Sequence, residues 1–112
     1  MIEIDGPFYR ITADGFELTI PRWEGHSPDD TEEADVTITL PDGSRHYATF
    51  MTLGAIKHVM ERHREVGECH GGGYFWASDL IILSEPGFPA VIDAVAALIA
   101  SGDLATACGA LQ

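Results

Sequence analysis

The chain has 112 residues, of which 18 are Asp or Glu and only six are Lys or Arg, for a formal net charge of −12. That length suits one domain (residues 1–112) and is too short for two independent cores. The charge excludes phosphate-driven DNA or RNA binding and attraction to anionic membrane surfaces, and it permits steered association with a basic protein.

Apolar residues make up 46% of the chain, enough for a globular core, and the longest apolar run, Leu80 to Leu83, is far short of a membrane span. The opening Met-Ile-Glu-Ile-Asp is acidic where a secretory signal is basic, so no export signal is expected. Cys69 and Cys108 are too few and too far apart for a disulfide framework. Reduced thiols and a cytoplasmic location are the expectation.

Phe8 to Thr12 and Phe16 to Ile20 read as strands joined by a tight turn at Ala13-Asp14-Gly15. In the second of these, Phe16, Leu18 and Ile20 alternate with polar residues, which predicts one buried sheet face. Residues 22–35 read as an exposed, mobile loop. Between Glu24 and Asp35 six acids (Glu24, Asp29, Asp30, Glu32, Glu33 and Asp35) occur without a base, half of the net charge in twelve residues. Trp23 precedes them, and an aromatic there anchors either the core, the commoner role, or a partner.

Asp35 to Leu40 and Arg45 to Thr52 form the next predicted hairpin, around Pro41-Asp42-Gly43-Ser44. Thr52 then caps a helix whose apolar stripe is Leu53, Ile56, Val59, Met60 and His63, ended by Gly67. Residues 74–84 show no alternation, which predicts a central strand covered on both faces, interrupted by Ser78-Asp79. Pro86 and Pro89 open a second helix with Phe88, Val91, Ile92, Val95, Leu98 and Ile99 inward. A short last helix follows Ser101-Gly102-Asp103, with Leu104, Cys108 and Leu111 on one side. The order predicts an α+β two-layer sandwich: a mainly antiparallel sheet of about five strands, two main helices on one face and a short C-terminal helix.

His58, His63, Cys69 and His70 lie within thirteen residues and are chemically suited to zinc. The five-residue spacing of His58 and His63 puts them on different helix faces, and Cys69 and His70 are adjacent, so no metal or other cofactor is expected. Cys69 as a nucleophile lacks a pKa-lowering environment. Gly71-Gly72-Gly73 follows a helix rather than a strand, and no Lys or Arg occurs after Arg64, which argues against phosphate binding. Asp79, an acid in an apolar strand, is either satisfied at a bulge or part of a site.

The segment Gly67-Glu68-Cys69 through Gly73-Tyr74-Phe75-Trp76-Ala77-Ser78-Asp79-Leu80-Ile81 resembles small acidic bacterial proteins that are either of the toxin-neutralising immunity type or uncharacterised. That resemblance covers about fifteen residues and implies a non-enzymatic protein that binds a basic toxin. The residues themselves support a protein-binding module without catalytic groups, with Trp23, Glu24, Asp29, Asp30, Glu32, Glu33 and Asp35 as the binding face. The alternative is a small-molecule or metal-binding domain around His58, His63, Cys69, His70 and Asp79. A homodimer covering the apolar sheet is compatible with the first.

Overall fold

The computed structural model describes residues 2–23 and 27–111. Its sheet has seven strands: β1 (Ile2–Asp5), β2 (Phe8–Ala13), β3 (Phe16–Pro21), β4 (Glu33–Thr39), β5 (Arg45–Thr52), β6 (Leu80–Leu83) and β7 (Gly109–Leu111). The helices are α1 (Leu53–Val66), α2 (Glu68–Gly72), α3 (Phe88–Ser101) and α4 (Leu104–Ala107). The order across the sheet is β1-β2-β3-β4-β5-β6, with β7 also paired to β5. All pairings are antiparallel except β5–β6. The α+β class and the mainly antiparallel sheet match the expectation; the strand count exceeds it by β1 and β7.

Both predicted hairpins form where a left-handed residue allows them. Gly15 (φ +90°) and Gly43 (φ +87°) take conformations that disfavour a side chain. At the second turn Ser44 donates from its N–H and its hydroxyl to Asp42 Oδ1 at 2.8 and 2.6 Å, which holds the Asp42 carboxyl below its ordinary range.

Alternation along β2 to β5 sends Ile11, Leu18, Ile20, Val36, Ile38, Ala48 and Phe50 to one face. There they meet Phe88, Val91 and Val95 of α3, Leu104 of α4, and Cys108. Met51 follows Phe50 and so points the other way, where it clusters with Ala55 and Val59 of α1. The two long helices therefore lie on opposite faces of the sheet, not on one. The reason is local: α1 starts at Leu53 immediately after β5, and Thr52, at its N-cap, accepts from the Ala55 N–H. Leu53, expected in the apolar stripe, is 69% exposed, and Ala55 takes the buried position instead.

Residues 74–84 depart most from expectation. Only Leu80–Leu83 are strand, and β6 is the last strand on its side rather than a central one. Asp79 adopts φ +54°, which ends the extended run on its N-terminal side. Phe75 turns toward α1, its ring 6.3 Å from that of His63, while Tyr74 and Trp76 are exposed. The last predicted helix is also shorter: α4 ends at Ala107, Cys108 is extended, and Leu111 belongs to β7.

Gly67 ends α1 in a left-handed conformation, its N–H bonded to the His63 carbonyl at 2.8 Å. In α2, Cys69, His70 and Gly71 are all left-handed, with φ of 48°, 57° and 67°. Among the described residues no helix is long and apolar enough to cross a membrane.

Candidate functional site

The described acids of this segment, Asp29, Asp30, Glu32, Glu33 and Asp35, are exposed, as expected, but the backbone from Ser27 to Glu32 is tied down rather than loose. Thr31 N–H reaches the Ser27 carbonyl at 3.0 Å, closing a turn over Pro28–Asp30. Gly87 and Phe88 donate from their N–H groups to the carbonyls of Thr31 and Pro28 at 2.7 and 2.8 Å, joining the segment to the start of α3. Thr52 N–H donates to the Glu32 carbonyl at 3.0 Å, and the Thr52 hydroxyl to Glu32 Oε1 at 2.9 Å, joining it to the start of α1. Four backbone bonds and a buried threonine thus offset the mutual repulsion of the carboxylates.

Fixing the segment against α1 creates a groove of about 300 Å³. Asp30, Thr31, Glu32 and Glu33 form one side, while Ala55, His58, Val59 and Arg62 of α1 form the other. Trp23 also lines it and is 44% exposed. The groove therefore gathers four of the seven residues assigned to binding from the sequence: Trp23, Asp30, Glu32 and Glu33. Asp29 is exposed beyond the groove, its carbonyl packed close to Gly87. Glu24 lies outside the described residues.

Asp35 belongs to a different arrangement. It sits on the face shared with Met51, where Tyr47 donates from its hydroxyl to Asp35 Oδ1 at 3.0 Å. Thr49 Oγ1 lies 2.9 Å from the Tyr47 hydroxyl and 3.3 Å from the same carboxylate oxygen. Burial pushes the Tyr47 pKa up, and the charges of Asp35 and Asp79 add to it. Asp79 is half-buried, accepts from the Ser78 hydroxyl at 3.0 Å, and crowds Gly109, where a Cβ would stand 2.6 Å from Asp79 Oδ2. Burial, then the Asp79 charge, raises the Cys108 thiol pKa. Asp79 is thus a strand-entry residue at a left-handed position and not a bulge within a long strand.

The candidate metal ligands are not gathered. His58 lines the groove, while His63 Nε2 lies 3.3 Å from Glu68 Oε2 and His63 Nδ1 is buried with no hydrogen-bond partner among the described residues. Cys69 is half-buried and His70 exposed in the left-handed turn. Among the described residues no three His, Cys, Asp or Glu side chains stand together as a metal site.

Thr31, Ala55, Val59 and Arg62 are groove residues that sequence reasoning did not assign. Their one visible signal is the spacing of Ala55, His58, Val59 and Arg62, which places them on one side of a helix. Chemically, the groove offers three carboxylates, one guanidinium, an imidazole and an exposed indole. Comparison with family models, curated proteins and solved structures finds no match to this chain.

Proposed function

We propose that the chain is a non-enzymatic protein-binding module, an immunity-like cytoplasmic inhibitor that holds a basic protein such as a toxin on its acidic face. The observation that carries this reading is the groove in which the exposed Trp23 stands with Asp30, Glu32 and Glu33. An aromatic anchor ringed by charge combines short-range affinity with long-range steering. The net charge of −12 extends the attraction beyond the groove. Because the acidic segment is already hydrogen-bonded to α1 and α3, a partner meets it preorganised and little ordering entropy is lost on binding.

The test is co-purification with the protein encoded next to this chain, at about 0.05 M and about 0.5 M salt. A complex at low salt that weakens at high salt, and weakens by about tenfold or more with Trp23→Ala, is the expected result. A neighbouring product that is not basic, together with no salt-sensitive complex, would remove the reading.

A further inference from the structure

We infer that the outer edge of β6 is an interaction surface for an extended, basic and apolar segment of a partner protein, which adds to the sheet as a further strand. The backbone geometry of β6 leads there. Thr49 N–H donates to the Asp79 carbonyl at 3.1 Å, and Thr49 pairs in register with Leu80. In a parallel ladder this makes residues 79, 81 and 83 face β5, so the N–H and C=O groups of Leu80 and Ile82 point away from the sheet. Among the described residues none of these four groups has a protein partner.

Natural edge strands are blunted by shortness, charge or proline, and of these β6, at four residues, has only the first. At the opposite end of the sheet β1 carries Glu3 and Asp5, whereas β6 is Leu-Ile-Ile-Leu with Ile82 53% exposed. Beside the open edge, Ile82 and Leu83 share a shallow groove with Glu85 of the following loop and Asp93 of α3. An apolar strip flanked by carboxylates fits a strand that alternates apolar and basic side chains.

Charge selects the occupant. Residues 65–112 contain six acids and no Lys or Arg, so a second copy would bring acids to acids, while a basic strand meets complementary charge. The edge is also continuous with the acidic segment, because Gly87 and Phe88, just beyond β6, bond to Thr31 and Pro28. The identity of the occupant rests on the basic-partner reading above; the open edge does not.

The experiment titrates a peptide of alternating lysine and valine into the full chain and reads amide exchange residue by residue. Binding is expected to slow exchange at Leu80 and Ile82, the two outward amides. Ile82→Pro removes one outward donor without touching the pairing to β5, and is expected to weaken the peptide about tenfold or more. The same peptide N-methylated at alternate residues keeps its charge, cannot complete the ladder, and is expected to bind correspondingly worse. Amide exchange in the unaltered chain keeps the test decisive even if Ile82→Pro misfolds.

Unchanged exchange at Leu80 and Ile82, or no peptide binding, would overturn the inference. If binding is instead abolished only by Asp30→Asn, Glu32→Gln and Glu33→Gln together, the edge falls and the basic-partner reading stands. A dimeric mass in sedimentation that Ile82→Pro abolishes would assign the edge to a second copy and overturn the basic strand.

Discussion

Replacing Thr52 by alanine removes a hydroxyl that caps α1 and reaches the acidic segment, while leaving the backbone bond from Thr52 to Glu32 in place. The residue is 6% exposed, its hydroxyl accepts from Ala55 N–H at 3.1 Å and donates to Glu32 at 2.9 Å. Loss of the cap costs about 1 kcal/mol, and loss of a buried methyl about 0.8 kcal/mol. The Glu32 bond adds little, because that carboxylate is exposed and water replaces the hydroxyl. The sum is roughly 2 kcal/mol. For 112 residues, at about 2.1 cal/mol/K each, the unfolding entropy is roughly 0.24 kcal/mol/K, so the Tm should fall by roughly 8 °C. Thr52→Ser keeps both hydrogen bonds and loses only the methyl, so it should fall by roughly 3 °C. Differential scanning calorimetry on the three proteins checks both numbers. Equal losses for serine and alanine would refute the claim that the Thr52 hydroxyl, rather than its bulk, stabilises the start of α1.

Three further outcomes follow from the packing. Gly87→Ala places a Cβ 2.5 Å from the Asp29 carbonyl at a φ of +99°, so it should destabilise by about 2–3 kcal/mol in urea titration and loosen the acidic segment. Tyr47 and Cys108 hold their protons more tightly folded than unfolded, so their contribution is complete at neutral pH. It is lost as pH rises past the ordinary values of 9.0 for the thiol and 10.0 for the phenol, and Tyr47→Phe should flatten the upper part of that decline in an alkaline melting series. A disulfide reagent at mildly alkaline pH should modify Cys69 well before Cys108, which is 2% exposed; comparable rates would contradict the placement of Cys108.

Local signals carried the N-terminal half of the fold. Asp14-Gly15 and Asp42-Gly43 specify their turns through residues that tolerate positive φ, and alternation then sets which face of β3, β4 and β5 is buried. What escaped was decided by tertiary partners. Every residue of β1 is exposed, so its strand character comes from pairing with β2, and β7 is three residues recruited by β5. The apolar run from Tyr74 to Leu83 looked like one buried strand because composition does not distinguish a ring packed on a helix, as Phe75 is, from one packed in a sheet. The placement of α1 turned on Met51, whose direction relative to Phe50 is visible only once β5 is aligned. For the candidate site, the cluster of acids and Trp23 was legible in one stretch of chain. The opposing wall from α1 was not, since it depends on hydrogen bonds between Glu32 and Thr52, twenty residues apart.

The division of β5 between two late neighbours bears on how the chain folds. On its far side β5 is shared, residues 49–52 with β6 and residues 45–47 with β7. Strands β1 to β5 pair with their immediate successors, so the meander has low contact order and can condense as soon as it has been synthesised. The N-terminal half of β5 has no second neighbour until residues 109–111 have emerged, more than sixty positions later. While residues 53–108 are being added a nascent chain thus presents the open flank of the N-terminal half of β5, and the pairing of Tyr47 with Gly109 is a long-range closure of the sheet.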